Sequence, residues 1–139
     1  MIHQACKWMF AISKNITLRV PSNITYRALK DTRLEELFPE FFIGVTRKIK
    51  TDKTNNELKF STTIQGSQIE ISETFKLKIP GENYTNIEYT TETNMEENNS
   101  VLQSILQTHV SNILYSFLTL ETGYINGFME GKNHTQRTL

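Results

Sequence analysis

Between Phe42 and Thr93 apolar side chains return at every second position in four successive runs, separated only by turn-length segments. Ile43, Val45 and Ile49 form the first run. Leu58, Phe60 and Ile64 form the second, Ile69, Ile71, Phe75, Leu77 and Ile79 the third, and Ile87 and Tyr89 the fourth. Period two is the spacing of a strand with one buried face. Asn55-Asn56, Gly66-Ser67 and Pro80-Gly81 supply hairpin turns between the runs, and no gap has room for a crossover helix, so parallel pairing is excluded. The centre of the chain is therefore an antiparallel meander of four strands.

Two further patterns flank the meander. Upstream, Phe10, Ile12, Ile16, Leu18 and Val20 share one parity, which predicts a first strand. Pro21 ends it, and Ser22 can cap a short helix whose Ile24, Ala28 and Leu29 lie on one face. Thr32-Arg33-Leu34-Glu35 has the form of a capping box, so a second short helix carries Leu34, Leu37 and Phe38 before Pro39 stops it. Downstream, from about Asn98 to Glu130, there is no proline. Apolar residues there recur at 102, 106, 109/110, 113, 117, 120, 124 and 128, one stripe of a helix about 45 Å long.

The chain of 139 residues has the length of one domain. Its parts read as a loose arm over residues 1–8, a folded domain over 9–131 and a polar tail over 132–139. Fifteen Lys+Arg balance fifteen Asp+Glu, so no overall field draws the protein to nucleic acid or to stable insertion in a membrane. One cysteine, Cys6, excludes an internal disulfide. The first residues lack the apolar core of a secretory signal, and the expected location is cytoplasmic. Nucleotide-binding glycine loops, zinc motifs and nucleophile elbows are absent from the sequence. No cofactor or metal is expected, and no catalytic residue is assigned.

A five-stranded sheet with one apolar face and one long amphipathic helix is satisfied when the sheet curls around the helix. This order of elements resembles the START-like helix-grip superfamily, which includes birch-pollen-allergen-like proteins, polyketide cyclases and dehydrases, and coenzyme-Q-binding proteins. The segment Ile16-Thr17-Leu18-Arg19-Val20-Pro21-Ser22 through Asp31 is similar to the family's opening strand, proline turn and first helix. Leu34-Glu35-Glu36-Leu37-Phe38-Pro39 is similar to its second. The resemblance covers about residues 10–130. It implies an α+β fold, with a curved antiparallel sheet of about five to six strands around the C-terminal helix and two short helices after strand one. The shorter meander implies a smaller cavity than in larger members.

Extending strand parity through the polar positions gives the candidate site. Lys14, Arg47, Thr62 and Glu73 fall at mid-strand on the parity of the buried apolar residues. Tyr89 and Thr91 share parity with Ile87, and His109 lies in the helix stripe with Ile113 and Phe117. A polar belt inside an apolar shell follows. Either these groups form a closed ion network, or a bulge returns some of them to solvent, or they line a ligand cavity. Two cations against one carboxylate leave that interior net positive, suited to an anionic apolar molecule. His109 is also readable as a satisfied core histidine, and Glu121 as a rim carboxylate.

Three functions compete. The first is binding of a small hydrophobic or amphipathic molecule between sheet and helix. The second is a cyclase- or dehydratase-like enzyme in which Glu73 or His109 moves a proton while Arg47 or Lys14 holds an enolate oxygen. The third is a protein-interaction domain like the START-like activators of heat-shock ATPases. Leu114, Leu118, Ile125 and Met129 project from the far side of the helix, which calls for cover by the short helices or by a second copy in a homodimer. Gly123, Gly127 and Gly131 either admit a close neighbour or loosen the helix end, and loosening is the preferred reading.

Overall fold

The computed structural model describes residues 10–31, 44–94 and 100–138. Within them run β1 (Phe10–Leu18), α1 (Ser22–Asp31), β2 (Val45–Lys53), β3 (Glu57–Ile64), β4 (Glu70–Gly81), β5 (Tyr84–Thr93) and α2 (Ser100–Thr138). The strands pair antiparallel in one sheet ordered β1-β5-β4-β3-β2, curved around α2. β1 and β2 are therefore the two edges, and β4 is the middle strand. The second short helix expected at 32–38 lies outside the described residues. α2 runs through Thr138, into the stretch expected as a polar tail.

Local chemistry accounts for the turns. Asn55 takes a left-handed conformation (φ 59°) in the β2–β3 hairpin and Gly66 does so (φ 77°) after β3, the backbone region that asparagine and glycine tolerate. The third turn falls at Glu82–Asn83, beyond the expected Pro80-Gly81, because β4 runs on through Gly81. A register shift between Lys78 and Gly81 accompanies it, and another lies between Ile49 and Thr51. Ile79 and Ile49, expected on the buried face, are exposed beside these irregularities.

α2 lays Leu106, Val110, Ile113 and Phe117 on the concave face of the sheet, all of them buried. Phe75 is the centre of that contact. Phe60 and Phe117 meet it edge-on at 5.9 and 6.1 Å between ring centroids, and Tyr89 lies tilted at 4.8 Å. α1 is tied to both halves of the sheet. The Thr85 hydroxyl donates to the Val20 carbonyl at 2.7 Å just ahead of the helix. On β2, Asp52 accepts from the Tyr26 hydroxyl and pairs with Lys30 at 2.8 Å. Glu121 fills the expected rim position, accepting from the Arg19 amide at 2.7 Å.

α2 runs unbroken through Gly123 and Gly127, and a Cβ at either position would meet nothing within 4 Å. Among the described residues, none packs against either glycine. Gly123→Ala and Gly127→Ala are each expected to stabilise the protein by about 0.5–1 kcal/mol in thermal unfolding, because alanine loses less backbone entropy in a helix. Destabilisation would reveal a segment packed against them.

Candidate functional site

Cross-strand register assembles the polar belt. One transverse row of the concave face runs Ile12, Thr91, Glu73, Phe60, Ile49. On one side lies the row Phe10, Thr93, Ile71, Thr62, Arg47, and on the other Lys14, Tyr89, Phe75, Leu58. Glu73, on the middle strand, is thus flanked diagonally by Arg47 and Tyr89, while α2 brings His109 down on it from above. The Arg47 Nη2 lies 2.8 Å from Glu73 Oε1, and the Tyr89 hydroxyl donates to Oε2. His109 Nε2 stands 2.9 Å from the same Oε2. A carboxylate only accepts, so the Nε2 nitrogen carries the hydrogen. The Arg47 guanidinium also stacks over the Phe60 ring at 4.3 Å.

The network is sealed. Glu73, Tyr89 and His109 have no exposed surface, and the Arg47 side chain keeps 4%. Burial pushes the Glu73 carboxyl up, but the His109 hydrogen bond, the Arg47 charge, the His109 charge and the Tyr89 hydrogen bond together hold it below its ordinary value near 4.5. Burial, then the neighbouring Glu73 charge and hydrogen bond, push the Tyr89 hydroxyl well above 10.0. A depressed carboxyl adds stability that is complete above the unfolded value and is lost as pH falls through the folded one. For the tyrosine, whose value is raised, stability is complete below pH 10.0 and is lost as pH rises through the folded value. Glu73→Gln is accordingly expected to flatten the fall in stability below about pH 4.5, and Tyr89→Phe the fall above pH 10, in urea titrations followed across pH. Unchanged acid and alkaline limbs in the two variants would remove these groups from the linkage.

Of the other belt residues, Thr62 and Thr91 are buried beside Arg47 and Glu73 in the register, and Ile113 and Phe117 are apolar core. Lys14 departs from expectation. It keeps the parity of the belt and pairs with Tyr89, yet it is exposed. β1 is an edge strand, and the long stem of lysine reaches water at less cost than burying a second cation. The expected net positive interior is corrected: one guanidinium faces one carboxylate.

A separate opening lies between α1 and the middle of α2. It is an apolar pocket of about 400 Å³ lined by Ile24, Ala28, Leu29, Phe117, Leu120 and Tyr124, and also by Ser116, Thr119 and Gly123. The Ser116 hydroxyl donates to the Ile113 carbonyl at 2.6 Å and that of Thr119 to the Tyr115 carbonyl at 3.0 Å, so both are turned back on the helix. Of the belt residues, only Phe117 also lines this pocket. Its other walls were legible as apolar helix faces, but sequence periodicity does not show that two such faces meet with a gap between them.

No family model matches the sequence, and no curated protein matches it. Solved structures do. The Aha1 dimer from Colwellia psychrerythraea shares 20% identity over 83% of this chain and 98% of its own, with a TM-score of 0.62. The chain has the helix-grip fold. An HSP90 activator from Plasmodium falciparum (13% identity, 78% and 91% covered, TM-score 0.58) and the Zhui aromatase/cyclase from a Streptomyces species (10%, 84% and 96%, 0.51) share it. At these identities the likeness is one of fold, and helix-grip proteins as different as an activator and a cyclase are equally compatible with it. Among the described residues no cluster of three or more His, Cys, Asp or Glu could hold a metal ion, and no helix is long and apolar enough to cross a membrane.

Proposed function

We propose that this helix-grip protein binds a small, uncharged apolar molecule in the pocket between α1 and α2. The observation that carries the reading is the pocket itself, whose volume of about 400 Å³ falls in the range of small-molecule sites and whose hydroxyls are satisfied within the helix. With Lys14 in solvent and Arg47 committed to Glu73, neither expected cation is placed to hold an anionic ligand. The same network weighs against acid–base catalysis: Glu73 is held by three partners and its basicity is lowered, the reverse of what a general base at neutral pH needs. Arg47, Glu73, Tyr89 and His109 serve in this reading as the fixed floor that holds α2 on the sheet.

The test is a titration with N-phenyl-1-naphthylamine, an uncharged probe that fluoresces in apolar sites. Saturable binding with a Kd on the order of 10 μM is expected from its size. Gly123→Leu places a side chain into the pocket from a position where nothing lies within 4 Å, so it is expected to weaken the probe at least tenfold while preserving the fold. Equal affinity in the wild type and in Gly123→Leu would place the binding elsewhere.

A further inference from the structure

From Ser100 to Leu120 α2 contains no Asp, Glu, Lys or Arg, although 22% of the chain is charged. The side of the helix away from the sheet is uncharged as well as exposed. Val101, Tyr115 and Leu118 are 68%, 73% and 56% exposed, and Ser104, Thr108, Ser111 and Thr122 are exposed between and beyond them. The positions 101, 104, 108, 111, 115, 118 and 122 alternate in steps of three and four. That is the spacing of a helix-pairing seam, here about 32 Å long. Leu114, expected on this face, is instead half-buried against the core, which leaves the seam to the heptad positions.

We infer that this seam pairs with the same seam of a second copy, antiparallel, about a two-fold axis at Ser111. Three observations select a second copy. Depletion of charge with aromatic and aliphatic residues retained is the composition of an interface centre, and a surface without charge meets its own copy without like-charge repulsion. A membrane surface is disfavoured by the same fact, since helices that lie on membranes carry lysine and arginine on their polar face. Side-chain placement is also self-complementary about Ser111: Leu118 falls opposite Ser104, and Tyr115 opposite the turn of Gln107 and Thr108, so neither large residue meets another. Finally, the Thr108 hydroxyl donates to the Ser104 carbonyl at 3.0 Å, so burying it leaves no unsatisfied donor.

Sedimentation and cysteine crosslinking test the arrangement in the full chain carrying Cys6→Ser. The protein is expected to sediment at about twice 16.1 kDa at micromolar or higher concentration. Ser111→Cys is expected to form a disulfide-linked dimer on mild oxidation, because the two copies of that residue meet on the axis, whereas Ser104→Cys alone is not. Ser104→Cys combined with Leu118→Cys is expected to crosslink. Tyr115→Glu, at an exposed position that costs the fold little, is expected to shift the protein to monomer with an unchanged circular dichroism spectrum. A monomer at every concentration assigns the seam to another partner or to solvent, and a dimer that Tyr115→Glu leaves intact pairs through another face; either overturns the inference. Crosslinking of Ser104→Cys to itself shows parallel pairing and overturns the register.

Discussion

Replacing Glu73 with alanine is expected to cost about 3–5 kcal/mol, the penalty for leaving a buried guanidinium without its carboxylate. The magnitude follows from what the substitution strands. Arg47, with a side chain only 4% exposed, loses its ion pair, and Tyr89 and His109 lose the acceptor they share. Since domains of this size are stable by about 5–15 kcal/mol, the alanine variant is expected to lose a large share of its stability and to unfold at markedly lower urea, and Glu73→Gln gives a measurable, milder series. Arg47→Met is expected to be similarly damaging alone. Replacing the whole group with apolar residues, Arg47→Met with Glu73→Leu, Tyr89→Phe and His109→Leu, is expected to recover most of the loss, because the penalty lies in the orphaned groups. A loss below about 1 kcal/mol for Glu73→Ala would mean that water already reaches the network.

Phe117→Ala is the second large effect, with an expected loss of about 3–5 kcal/mol. Phe117 is buried, meets Phe75 edge-on at 6.1 Å, and forms a wall of the pocket between α1 and α2. Its removal cuts into the core and the pocket at once. The variant is therefore expected to unfold at lower urea and also to bind apolar probes larger than N-phenyl-1-naphthylamine more tightly than the wild type does. Destabilisation without any gain for larger probes would show that the core collapses into the space, and that pocket size is not set by this ring.

Strand parity made much of this legible in the sequence. Arg47, Thr62, Glu73, Tyr89 and Thr91 were placed on the concave face by odd-even counting, and His109 by the helix stripe, and all of them are buried or have buried side chains. Counting failed for Lys14, where an edge strand and a flexible stem let the charge leave, and for Ile49 and Ile79, which sit beside register shifts, the second of them at Pro80, whose missing N–H breaks the ladder. The convergence of Arg47, Tyr89 and His109 on Glu73 depends on cross-strand register and on the height of α2 above the sheet, which are tertiary quantities. The tie from Tyr26 and Lys30 to Asp52 escaped sequence reading for the same reason: α1 and β2 are brought together only by the closed fold.

The most direct test is a nitrogen–proton correlation spectrum of the protein titrated with N-phenyl-1-naphthylamine. The pocket reading predicts shifts concentrated at Ile24, Ala28, Leu29, Leu120, Gly123 and Tyr124, with the amides of Arg47, Glu73 and Thr91 unmoved. Shifts centred on Glu73 and its partners, or none at saturating probe, would contradict it.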